Sequence, residues 1–169
     1  MGDRALAELA AQLGERLLAT GQSLMSVESC TGGWVAQVLT SVPGSSQWFE
    51  RGLVTYSNRA KTDLAGVDPS LLEQYGAVSE EVAAAMARGG LARSRANLSL
   101  AITGIAGPGG GSPEKPVGTV WFAWAGFPGM GLNQPETSIR RFLGGREAVR
   151  LQSVKCALEG ALERLASAG

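Results

Sequence analysis

Residues 23–41 read SLMSVESCTGGWVAQVLTS. The short mixed stretch 23–28 suits a strand, Ser29-Cys30-Thr31-Gly32-Gly33 a turn, and about 32–41 a helix ended by Pro43-Gly44. A strand that turns straight into a helix is the half-unit from which α/β layers are built. The same alternation continues on both sides. Upstream, Leu6, Leu9, Leu13 and Leu17 recur at helical spacing, so residues 4–19 form an amphipathic helix closed by Gly21. Downstream, 51–56 (RGLVTY) is a strand, and Asn58 caps a short helix that stops at Gly66. Asp68-Pro69 opens another short helix, and Ser79 with Glu80 and Glu81 opens a long Ala-rich one to about residue 95. Strands at 98–103, 119–125 and 136–143 follow, and a helix over 146–166 ends the chain. The expectation is a single domain over 1–169 with its core at about 5–165. Its fold is a layered α/β sandwich, a mixed sheet covered by helices, with no internal repeat or linker.

The chain has 169 residues, long enough for one buried core and too short for two ordinary domains. Fifteen basic residues balance fifteen acidic ones, so no global field points to nucleic acid or to an anionic membrane. Charged residues are 18% of the chain, below the roughly 25% of an average domain, which argues against disorder. No stretch approaches the ~18 apolar residues of a membrane span. Asp3, Arg4, Glu8, Glu15 and Arg16 interrupt any signal-peptide core, so a soluble, cytoplasmic protein is expected. Low charge and the WFAWAG stretch at 121–126 point to a homo-oligomer. The two cysteines, Cys30 and Cys156, fit neither a disulfide framework nor a metal knuckle.

The sharpest compositional fact is that histidine is absent. A Ser-His-Asp triad, a Cys-His dyad and a His-ligated zinc are therefore unavailable within this chain. Hydrolytic chemistry needs another base, and no metal is expected to supply it. ESCTGG (28–33) sets Ser29 between a strand end and a helix start. The amides of Cys30, Thr31, Gly32 and Gly33 would point from the helix N-terminus toward an oxyanion or phosphate. The competing reading makes Ser29 or Thr31 a plain N-cap, and Cys30, lacking a usual base, a buried neighbour. TYSNRAK (55–61) carries Lys61, one of three lysines. With Asn58 as the cap, Lys61 is the third helical residue, where the helix dipole and Arg59 both disfavour a cation. The dipole contributes only ~0.3–1 kcal/mol, so a neutral Lys61 able to act as a general base would need burial as well. A solvated surface charge is the alternative. TGIAGPGGG (103–111) matches neither a Walker loop nor a dinucleotide fingerprint. Its Thr103, Gly104 and Gly107 either line an anion site or belong to a flexible connection. FLGGREAVR (142–150) places Arg146 and Arg150 at a helix start, where an arginine opposes the dipole and favours an anionic partner. Surface charge is again the alternative.

Taken together, ESCTGG, GSSxWFERGxVTYSNxAK, GAVSEEV, TGIAGPGGGSxEKPVGTVWFA and FxGxRxxVR occur in one order. In that order they resemble the CinA C-terminal domain family across roughly residues 5–165. The family's stand-alone members hydrolyse the carboxamide of nicotinamide mononucleotide (NMN) to nicotinate mononucleotide and ammonia. Larger members add an N-terminal molybdopterin-binding-like domain, to which no segment here corresponds. The resemblance implies a nicotinamide-nucleotide amidase in NAD recycling that needs no cofactor and has a pyridine nucleotide as its small-molecule partner. Its catalytic pair would be Ser29 and Lys61, supported by Tyr56, Thr103 and Arg146. Two other classes stay open: a nucleotide-binding module without turnover, and a competence-related interaction domain. Neutral charge and the lack of a basic stripe weigh against direct nucleic-acid binding.

Overall fold

The structure, a computed structural model, describes residues 2–131 and 133–166. Met1, Leu132 and 167–169, which the expected 1–169 domain includes, lie outside the described residues. In chain order the elements are α1 (Gly2–Thr20), β1 (Leu24–Glu28), α2 (Trp34–Thr40), a 3-10 turn (Ser45–Gln47), β2 (Phe49–Val54), α3 (Asn58–Ala65), α4 (Pro69–Tyr75), α5 (Glu80–Ala92), β3 (Leu98–Gly104), β4 (Thr119–Ala125), β5 (Glu136–Arg141) and α6 (Arg146–Ala166). The strands form one sheet in the order β2-β1-β3-β4-β5. β1 runs parallel to both β2 and β3, whereas β4 is antiparallel to β3 and β5. The sheet is mixed, as expected. Parallel neighbours require a long crossover. α2 makes the one from β1 to β2, and α3, α4 and α5 make the one from β2 to β3.

The three inner strands, β1, β3 and β4, are buried on both faces, whereas the edge strands β2 and β5 are largely half-buried or exposed. Alternation along the inner strands sorts side chains by size. Leu24, Leu98, Leu100, Ile102, Val120, Phe122 and Trp124 pack with Leu6, Leu13 and Leu17 of α1, Val35 of α2 and Val154 and Leu158 of α6. Met25, Val27, Ala101, Ala123 and Ala125 face the other way, onto Val82, Ala83, Met86 and Ala87 of α5. One face is thus filled by large side chains under several helices. The other is a shallow, alanine-rich seat on which α5 lies close. Closeness explains Gly90: a Cβ there would fall 2.5 Å from Val27 Cγ2.

Several boundaries move by one to three residues, some for a clear local reason. α2 starts at Trp34, not 32, because Gly32 and Gly33 have φ of 59° and 102°, a left-handed geometry that cannot continue a right-handed helix. β2 runs 49–54 rather than 51–56, since its ladder with β1 begins at Phe49. α5 ends at Ala92, and β5 at Arg141. The cap of α3 is Ser57, whose side chain accepts from the Ala60 amide at 3.0 Å; Asn58 is the first helical residue. Ser57 shares the short polar side chain that makes a good cap, so sequence alone could not choose between these neighbours.

Candidate active site

Because β2, β1 and β3 run parallel, their carboxyl ends share one edge of the sheet. The chain leaves β1 toward β2 and leaves β3 toward β4, in opposite directions, which opens a crevice between β1 and β3. Ser29 follows β1 there, Thr55 and Tyr56 follow β2, and Thr103 and Gly104 end β3. Backbone bonds carry the ladders one residue further and hold Ser29 in place. The Ser29 amide donates to the Ile102 carbonyl at 3.0 Å, and the Thr55 amide to the Glu28 carbonyl at 2.7 Å.

A cavity of about 260 Å³ sits in this crevice. Among the expected residues, Ser29, Cys30, Tyr56, Lys61, Thr103, Gly104 and Arg146 line it. Asn58, Ala77, Val78 and Ala106 also line it, although nothing in their chemistry marked them in the sequence beyond their place in the YSN, GAVSEEV and GIAG segments. Thr31, Gly32, Gly33 and Gly107 are not part of its wall.

Lys61 is buried, 1% exposed, and is the fourth residue of α3, not the third. Helical side chains lean toward the N-terminus, so its amine reaches back over the start of α3. Nζ lies 3.0 Å from Ser29 Oγ, 2.9 Å from the Thr55 carbonyl oxygen and 3.3 Å from that of Tyr56. The two carbonyls can only accept, whereas a serine hydroxyl can accept or donate. A neutral amine, with two N–H bonds and one lone pair, satisfies this set if the lone pair faces Ser29. Burial pushes the Lys61 amine below the usual lysine range. Arg59 has no part in this. Its side chain points into solvent and pairs with Asp63 at 3.5 Å. The Cys30 thiol is itself pushed up to about 11, chiefly by burial, so it stays protonated and is a poor nucleophile.

The helix start behind Ser29 is already occupied. Glu28, 1% exposed, accepts from the Val35 and Ala36 amides at 2.9 and 3.1 Å. The Gly32 amide donates to the Ser29 carbonyl at 3.0 Å and closes a turn. The expected row of free amides from Cys30 to Gly33 is therefore reduced, and Gly32 is not available to an oxyanion. Sequence reasoning missed Glu28 although it stands within ESC. A carboxylate one residue before a serine gives no sign that it will fold back onto a helix seven residues on.

Arg146 donates to the Gly107 carbonyl at 2.8 Å and to the Tyr56 hydroxyl at 3.1 Å, which joins the glycine-rich loop to the far wall of the cavity. Gly107 thus contributes a carbonyl to Arg146. Tyr56 is 60% exposed at the rim. Thr103 donates its hydroxyl proton to the Ala77 carbonyl at 2.8 Å. Among the described residues Arg150 binds no anionic side chain; it donates to the carbonyls of Cys30 and Thr31 at 3.1 and 3.3 Å. Among the described residues, no three His, Cys, Asp or Glu side chains gather as a metal site.

A buried amine against a serine hydroxyl, on the carboxyl edge of a mixed sheet, is an arrangement with the parts for acyl transfer. The CinA C-terminal domain model matches residues 6–165, and the chain belongs to this family. Among its relatives, the nicotinamide-nucleotide amidohydrolase PncC of Escherichia coli K12 is 52% identical over 159 residues, 94% of each chain. The PncC of Pseudomonas putida is 52% identical over 155 residues, covering 92% of this chain and 94% of the relative. The chain is also similar to the crystal structure of the competence/damage inducible protein CihA from Agrobacterium tumefaciens, with a TM-score of 0.88, 43% identity and 94% of each chain covered.

Proposed function

We propose that this protein is a nicotinamide-nucleotide amidohydrolase, converting NMN and water to nicotinate mononucleotide and ammonia through an acyl-enzyme on Ser29. The observation that carries the reading is the buried Lys61 amine 3.0 Å from Ser29 Oγ and within hydrogen-bond distance of the Thr55 and Tyr56 carbonyls, which can take both N–H bonds of a neutral amine. The relatives at about half identity, named nicotinamide-nucleotide amidohydrolases, support the substrate class.

In this mechanism neutral Lys61 takes the Ser29 proton as Oγ bonds to the carboxamide carbon. The C–N bond then breaks, and Lys61 returns that proton to the departing nitrogen, which leaves as ammonia. A water, deprotonated by Lys61, cleaves the resulting ester, releasing the carboxylic acid and restoring Ser29. The Cys30 amide, directly after the nucleophile, is the leading oxyanion donor, since Gly32 is engaged. Two of the five N–H donors of Arg146 hold Gly107 and Tyr56, which leaves the others for the ribose phosphate. The enzyme would work on the cytoplasmic pyridine nucleotide pool as a homo-oligomer.

Ammonia release from NMN by purified protein tests the reading, with Ser29→Ala as the control. The variant should fold normally and lose activity by orders of magnitude, since a mere cap is worth only about 0.5–2 kcal/mol of stability. A well-folded Ser29→Ala protein with a tenth or more of wild-type activity, to an order of magnitude, would end the nucleophile assignment. A protein that binds NMN tightly and releases no ammonia would instead be a sensing module.

A further inference from the structure

We propose that Arg150 is a positioning residue for the nucleophile, clamping the turn that carries Ser29 from the neighbouring helix. The inference rests on the amidohydrolase reading for its catalytic half. Residues 29–33 belong to no strand or helix, and the turn contains two glycines in left-handed geometry, so little in its own sequence holds it rigid. Its one internal closure is the Gly32 amide on the Ser29 carbonyl at 3.0 Å. That bond makes Cys30 and Thr31 the central residues of a four-residue turn, whose carbonyls point outward. Arg150 engages both outward carbonyls. Nε donates to Cys30 O at 3.1 Å and Nη2 to Thr31 O at 3.3 Å. The Thr31 carbonyl also accepts from the Trp34 amide at 3.0 Å, so it uses both lone pairs.

The clamp is itself held. The Arg150 guanidinium carbon lies 5.5 Å from the centre of the Trp34 ring, within cation–π range, and Trp34 is the first residue of α2. Glu28 grips the same helix start from the other side through the Val35 and Ala36 amides. Arg146 and Arg150 are one helical turn apart on α6 and share a face. One reaches the glycine-rich loop and Tyr56, the other the nucleophile turn. The start of α6 therefore sets the separation of the two walls. A planar fork of donors can hold two adjacent carbonyls while stacking on an indole; a lysine ammonium cannot do both.

The test uses Arg150→Met, which keeps an unbranched stem against Trp34, and Arg150→Lys, which keeps the charge. Two readings are taken on the intact protein: steady-state ammonia release from NMN, and hydrogen exchange of the Gly32 amide. With Arg150→Met, kcat should fall about a hundredfold, the scale of an ångström-sized misplacement, while KM changes by less than about threefold. Gly32 exchange should accelerate about tenfold or more, while core amides of β3 exchange as in the wild type. Arg150→Lys should recover little of either. A kcat within about twofold of wild type, or unchanged Gly32 protection, would overturn the proposal. So would exchange that quickens equally in β3 and at Gly32, since that reports a general loss of stability. A wild-type enzyme that releases no ammonia would sink the amidohydrolase reading instead, and Gly32 exchange would still decide whether Arg150 holds the turn.

Discussion

Lys61 is where the chemistry is most exposed to test. Its folded pKa is depressed by burial, while in the unfolded chain a lysine titrates near ~10.4. Between those two values the unfolded state binds the extra proton. Stability therefore rises with pH across this window and is lost as pH falls through the folded value. Lys61→Met has no such proton to lose. Urea melts from about pH 6 to about pH 10.5 should show the wild type gaining on Lys61→Met as pH rises, and curves parallel over that whole range would mean the amine is not depressed. In the same window kcat/KM should climb with pH as the free amine forms. Lys61→Arg keeps a cation but cannot deprotonate, so it should be nearly as inactive as Lys61→Met. A largely active Lys61→Arg enzyme would end the general-base role. The sequence singled out this lysine by elimination, because histidine is absent. It also required burial, and burial under the sheet edge does the work, whereas Arg59, expected to help, is turned to solvent.

At the scale of elements, the position of α3, and so of Lys61, depends on how closely α5 approaches it. Gly89 of α5 packs directly against the carbonyl oxygen of Ala65 in the last turn of α3, with no room for a Cβ. Two effects oppose one another in Gly89→Ala. Helix propensity favours alanine by ~1 kcal/mol. Overpacking against a backbone atom that cannot swing aside costs about 1–3 kcal/mol, and the loss should win. We expect a net destabilisation in urea melts together with a lower kcat, because the displaced helix carries the base. A stabilised, fully active Gly89→Ala would show that α3 and α5 are not rigidly coupled. Patterning made α5 legible as a helix from the Ser79-Glu80-Glu81 start and its alanines. Why those alanines and glycines recur is visible only once Ala101 and Ala123 of the sheet are seen beneath them.

For the whole molecule, the site exists because distant parts of the chain meet: the ends of β1, β2 and β3, the α3 helix that carries Lys61, the segment before α5, and the start of α6. Arg146 closes the cavity from the far end of the sequence, ninety positions beyond the Tyr56 hydroxyl it bonds. If its free donors hold the substrate phosphate, Arg146→Ala should raise KM for NMN about tenfold or more, and change KM for the phosphate-free riboside much less. Equal losses for both would remove Arg146 from phosphate recognition and leave it as a strut between Gly107 and Tyr56.

Local physics made much of this protein readable from its sequence. The periodicity of α1, the strand–turn–helix at 23–41, the Asp68-Pro69 and Ser79 helix starts and the missing histidine are properties of neighbouring residues or of the composition, so no tertiary information is needed for them. The pairing of Ser29 with Lys61 was nameable by elimination and resemblance, but its geometry was not. What only the tertiary structure decided is which groups are already engaged. Glu28 occupies the start of α2, the Gly32 amide belongs to Ser29, and Arg150 is bound to two carbonyls rather than to an anion. Hydrogen-bond capacity is shared among groups brought together by the fold, and a sequence lists donors and acceptors without saying which of them meet.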